Sequence, residues 1–139
     1  MDQTCITYPE TYVREMSGED LKLILEDVAD NLFNPDPFYQ QGGDMVRAGG
    51  MNYVCEPLAG AGKRISAMTL DDGTPIEAGK TYKVAGWATV GSQAPGQPIW
   101  DVVAAYLRSA GVARVETLNT PLLKGLQGNQ GLADYAVRG

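Results

Sequence analysis

Four residues, Asn34-Pro35-Asp36-Pro37, restrict the fold more than any other stretch of this chain. Each proline lacks an amide donor and biases the residue before it away from helix, so no helix runs through them. Upstream, Leu21, Ile24, Leu25, Val28 and Leu32 recur at helical spacing behind Ser17-Gly18-Glu19-Asp20, an S-x-x-D pattern that matches a capping box. The spacing predicts a helix that starts at Ser17, ends at the prolines and turns that stripe toward the core. A loop must follow.

The segments on either side are mostly strand-like. Residues 6–16 hold Tyr8, Thr11, Tyr12 and Val13 around Pro9 and read as extended structure with a break at the proline. Past the loop, Gly42-Gly43 and Gly49-Gly50 bracket a short segment that reads as a strand with tight bends, continued by Met51-Asn52-Tyr53-Val54-Cys55. Residues 63–70 alternate into Asp71-Asp72-Gly73-Thr74, a turn signal leading to Pro75-Ile76 and a predicted hairpin. A further turn at Glu77-Ala78-Gly79-Lys80 precedes residues 81–90, whose continuous apolar character predicts a central strand covered on both faces. A second amphipathic helix starts near Pro98, with Ile99, Val103, Tyr106, Leu107 and Ala110 on one face and Gly111 at its end. Residues 113–118 read as a last strand, and 119–139 as irregular structure or a short helix. The mixed order predicts an α+β fold, a mixed β-sheet packed with two main amphipathic helices.

At 139 residues the chain is one domain, able to bury a core without metals or disulfides. Its 44% hydrophobic and 20% charged residues are ordinary for a globular domain, and no apolar run reaches the roughly 18 residues of a membrane span. The net charge of −6 is spread along the chain, which argues against nucleic acid as a partner. Histidine is absent. That removes Ser-His-Asp and Cys-His catalysis, the usual zinc sites and the commonest neutral-pH general base. Cys5 and Cys55 form no ligand spacing; they read as two partly buried thiols, with a disulfide as the alternative in an oxidising compartment.

Few residues suggest chemistry of their own. Gly60-Ala61-Gly62-Lys63 has the look of a P-loop end, but Pro57 stands where the first glycine belongs and Arg64 where Ser or Thr would hold magnesium. Arg47, between the glycine pairs, carries a planar donor fork suited to a sulfonate or phosphate; the alternatives are solvent or a pair with Asp44. Glycine pairs serve turn geometry or let backbone approach a ligand closely. Tyr8, Tyr12 and Trp87 suit the core as well as a stacking platform. Glu26-Asp27 has the donors for a hard cation, but a helix surface is the expected setting.

Taken in order, residues 6–18, 46–50, Gly62-Lys63-Arg64-Ile65 and Tyr82-Lys83-Val84-Ala85 resemble the C-terminal domain of the 5'-nucleotidase family. Ile6-Thr7-Tyr8-Pro9-Glu10-Thr11-Tyr12, Asn34-Pro35-Asp36-Pro37, Gln41-Gly42-Gly43-Asp44-Met45-Val46-Arg47, Lys83-Val84-Ala85-Gly86-Trp87 and Pro98-Ile99-Trp100-Asp101 resemble its thiosulfohydrolase branch, SoxB. The resemblance implies a two-domain periplasmic enzyme whose N-terminal metallophosphatase-like domain, not represented here, carries two manganese ions. The implied reaction removes sulfate from a cysteine S-sulfonate on the carrier protein SoxYZ, with no catalytic or metal-binding residue in the present domain.

Where nucleotidases place Asn-Asp-Phe and Gly-Gly-Asp-Gly, this chain has Gly86-Trp87-Ala88-Thr89 and Gly91-Ser92-Gln93-Ala94-Pro95-Gly96. A nucleobase would lose stacking worth roughly 1–3 kcal/mol there, which favours a channel for a peptide arm. On this reading Arg47, with Gly42, Gly43 and Asp44, lines the mouth of the cleft facing the missing domain, and Tyr8 and Trp87 form its walls. The domain alone is expected to be inactive. The alternatives are the C-terminal domain of a nucleotide or sugar-nucleotide phosphohydrolase, and a stand-alone binding module.

Overall fold

The protein is described from a computed structural model, which covers residues 10–41, 48–87, 93–114 and 118–125. The chain divides into two compact units, one of Met1–Met16 with Thr81–Glu116 and one of Ser17–Lys80 with Thr117–Gly139.

The second unit is built on the helix that the prolines delimit. α1 spans Gly18–Phe33, and the Ser17 hydroxyl accepts from the Asp20 amide while the Asp20 carboxylate accepts from the Ser17 amide, the reciprocal cap its sequence predicts. The next free amides of the first turn go elsewhere in the fold: Gly18 N donates to Lys80 O and Glu19 N to Ala78 O, both at 3.0 Å. Gly18 is required because a Cβ there would run into the Glu77 carbonyl. At the other end Asn34 N closes on Asp30 O, and the expected loop contains a 3-10 turn at Pro37–Tyr39, capped by Asp36 accepting from the Phe38 amide.

The helix buries a face rotated from the predicted stripe. Leu25 and Ala29 are buried with Glu26, and Phe33 packs beside them, whereas Leu21, Val28 and Leu32 are half-buried and Ile24 is exposed. The stripe follows the largest apolar residues, but the close-packed line is set by small Ala29 and by the polar partners of Glu26.

Against this face lies a mixed three-stranded sheet in the order β3-β2-β5. β2 (Met51–Cys55) pairs antiparallel with β3 (Ile65–Leu70) and parallel with β5 (Leu122–Leu123). Tyr53, Cys55 and Ile65 supply the sheet's share of the core. Between the pairs Asn52↔Thr69 and Val54↔Ser66, β3 advances one residue more than β2, a bulge centred on Ala67, whose φ is +48°. The turn after β3 forms as expected: Gly73 has φ +83°, the Asp72 carboxylate accepts from the Thr74 amide, and Ile76 N donates back to Met68 O. β5 corrects the expectation of an irregular or helical tail. A two-residue strand behind a proline has no periodicity to read, and it is fixed by pairing, with Lys124 N donating to Cys55 O. The strand expected at 113–118 is not formed at its described residues 113, 114 and 118; the rest of it lies outside the described residues.

In the first unit β1 (Thr11–Ser17) pairs with β4 (Thr81–Trp87) in a two-stranded sheet. β4 is therefore not a central strand covered on both faces: Thr81, Lys83 and Ala85 are exposed, and Tyr82, Val84 and Gly86 half-buried. Its apolar continuity rests on small Ala85 and Gly86, which cover little on either side. The loop before α2 is held to β1, with Gly96 N donating to Thr11 O and the Thr11 hydroxyl to Gln97 O. α2 (Ile99–Ala110) follows Pro98 and ends at Gly111, φ +68°. Of its predicted apolar face, Ile99 and Val103 are half-buried and Tyr106, Leu107 and Ala110 exposed.

Candidate functional site

Five of the residues expected to contact substrate, Tyr8, Gly42, Gly43, Asp44 and Arg47, lie outside the described residues. Trp87 is the last residue of β4. The string 42–47 is flanked by anchored backbone: Gln41 N donates to Asn31 O, and Ala48 packs on the core. Cys55 is a free, buried thiol, and Cys5 lies outside the described residues.

A cluster not anticipated from the sequence occupies the loop joining β2 to β3. Glu26 is 7% exposed rather than on a helix surface, and its carboxylate accepts three backbone amides: Gly62 N at 3.0 Å and Arg64 N at 3.3 Å on Oε2, Ile65 N at 2.8 Å on Oε1. Gly62 has φ +78°, in a turn that aims the Gly62, Arg64 and Ile65 amides inward while Lys63 N closes on Gly60 O. The glycine loop that is no P-loop thus does bind an anion, and the anion is the chain's own glutamate.

One helical turn further, Asp30 meets the next residue of the same loop. Arg64 is 2% exposed; its Nη1 donates to Asp30 Oδ1 at 2.5 Å and its Nε to Pro57 O at 3.2 Å. The Arg64 guanidinium, helped by the Asn34 amide, holds the Asp30 carboxyl below its ordinary pKa. Burial pushes the Tyr53 hydroxyl up to about 12 and raises the neighbouring Cys55 thiol, so neither is a poised nucleophile. The signal that would have found this cluster is two acids four apart, one inside the apolar arc of α1, together with a Gly-Lys-Arg turn. Between the end of α1 and residues 58–61 opens a cleft of about 340 Å³, lined by Asp30, Phe33, Asn34, Pro35, Leu58 and Arg64 among others.

The 5'-nucleotidase C-terminal domain family matches residues 4–102. The chain belongs to that family. No curated protein sequence matched. The sulfate thiohydrolase SoxB of Thermus thermophilus, solved with glycerol, is 40% identical with a TM-score of 0.72 over 86% of this chain. A 5'-nucleotidase precursor, also from Thermus thermophilus, shares the fold, at 16% identity and a TM-score of 0.56 over 83%. The chain spans 23% and 25% of those two chains. The family is one of hydrolases, and the α+β fold is the one its resemblance implies.

Among the described residues no three metal-ligating side chains come together, and Glu26 and Asp30 are engaged by amides and a guanidinium. No helix among them is long and apolar enough to cross a membrane.

Proposed function

We propose that this domain is the substrate- and carrier-binding part of a longer thiosulfohydrolase that releases sulfate from a cysteine S-sulfonate on the SoxYZ carrier, in the periplasm. The observation that carries the reading is the 40% identity to a sulfate thiohydrolase, against 16% to a nucleotidase of the same fold. The hydrolytic chemistry, with its two manganese ions, is assigned to the N-terminal metallophosphatase domain of the longer enzyme.

This chain's part is recognition. Arg47 offers paired donors to the sulfonate oxygens, and Gly42, Gly43 and Asp44 line the mouth of the cleft with it, the glycines allowing close backbone approach. Tyr8 and Trp87 give apolar contact to the carrier's arm. Losing a charge-assisted pair costs about 1.5–3 kcal/mol, roughly a 10- to 100-fold loss of kcat/KM. The test compares sulfate release from S-sulfonated SoxYZ by the enzyme of the complete reading frame and its Arg47→Ala variant. Unchanged turnover rejects the role of Arg47, and faster hydrolysis of adenosine monophosphate than of the carrier rejects the substrate class.

A further inference from the structure

We propose that the cleft between the end of α1 and residues 58–61 is a docking site for an uncharged peptide segment of a protein partner, gripped through the main-chain N–H and C=O of one residue and its aliphatic side chain. The ion-paired Arg64 and Asp30 both line the cleft. The Arg64 side chain is 3% exposed, and its Nε and Nη1 are used by Pro57 O and Asp30 Oδ1. Its Nη2 donates to no protein group, yet among the described residues no sealed side-chain nitrogen lacks a partner. That nitrogen therefore keeps access to solvent, and because Arg64 lines the cleft, Nη2 is the donor it can offer there.

The neighbouring oxygen chooses the acceptor's charge. Asp30 Oδ2 takes only the Asn34 amide, at 3.2 Å, and keeps capacity for another donor. A carboxylate or phosphate at Nη2 would sit beside the Asp30 anion, whereas one extended residue meets both groups, its carbonyl on Arg64 and its own N–H on Asp30. The walls are apolar: Phe33 and Pro35 on one side, Leu58 and Ala61 on the other. Leu58 is 78% exposed at the rim, a large aliphatic side chain left in water. A volume of about 340 Å³ lies at the small end of the roughly 300–1,000 Å³ of ligand pockets. The inference is independent of which bond the longer enzyme breaks.

The probe is N-acetyl-leucine methylamide, titrated into the isotope-labelled chain and followed by amide chemical shifts. Saturable shifts are expected at Asn34, Ala59, Ala61 and the Arg64 side-chain N–H. Ala61→Trp, which fills the cleft, weakens binding by about tenfold or more. Should that variant misfold, Leu58→Lys at the exposed rim gives a smaller loss with the fold intact. Absence of saturable shifts overturns the proposal, as do shifts that neither variant reduces. Binding of N-acetyl-leucine, the carboxylate, as tightly as the methylamide also overturns it, because the site is then an anion site.

Discussion

Glu26→Gln is the substitution that weighs the buried carboxylate most directly, since it keeps the shape of the side chain and removes its charge. In the better of two orientations the amide oxygen takes the place of Oε2 and keeps the Gly62 and Arg64 amides. The new NH2 then faces Ile65 N, whose residue is fully buried. A buried donor left without an acceptor costs about 1–3 kcal/mol, and two bonds that lose charge assistance weaken by about 1 kcal/mol each. Relief of the desolvated charge offsets part of that sum, leaving a net loss of about 2–3 kcal/mol. Against a total of roughly 5–15 kcal/mol this is a large fraction, and it lowers Tm by about 10 °C. Urea unfolding followed by circular dichroism measures the loss, and hydrogen exchange at the Ile65 amide ties it to this loop. A variant within about 0.5 kcal/mol of the parent, with Ile65 equally protected, refutes the account of Glu26 as the loop's internal anion.

Two further outcomes follow from the same unit. Gly18→Ala would gain about 1 kcal/mol on helix propensity alone, but its Cβ meets the Glu77 carbonyl and displaces the turn whose carbonyls take the Gly18 and Glu19 amides. The melting temperature therefore falls, and a rise would sink the steric argument. For Asp30, the folded carboxyl titrates below its ordinary value because Arg64 and Asn34 favour the anion. A lowered folded pKa stabilises the fold above the unfolded value of about 3.9, and that contribution disappears as pH falls through the folded value. Carboxyl chemical shifts should place the Asp30 midpoint below that of an unfolded reference peptide, and Asp30→Asn should flatten the acid limb of the stability curve; an Asp30 midpoint above the reference contradicts the pairing.

Much of the backbone was legible in the residues because it is set by local chemistry. Ser17 and Asp20 cap α1, the prolines stop it, Gly73 makes the turn after β3, and Gly111 ends α2. What could not be read depends on partners distant in sequence. β5 exists because β2 offers an edge, and β4 has a two-stranded sheet rather than cover on both sides. Glu26 looks like any helix-surface acid until the loop 36 residues later brings its amides. The family resemblance rests on short strings that survive as structure, such as Gly62-Lys63-Arg64-Ile65, whose arginine lines the cleft and whose glycine turn holds Glu26. The residues expected at the substrate lie largely outside the described residues, and Arg64, passed over as a broken phosphate motif, is a buried guanidinium beside the cleft.

The amides of Gly18 and Glu19 and the carbonyls of Lys80 and Ala78 join the beginning of the stretch 17–80 to its end. A segment whose two ends touch can be lengthened, exchanged or lifted into another host without stretching the polypeptide around it. The clasp thus closes residues 17–80 into a loop whose ends meet, and the strand Leu122–Leu123 must accompany it, because it completes the sheet that the loop contains.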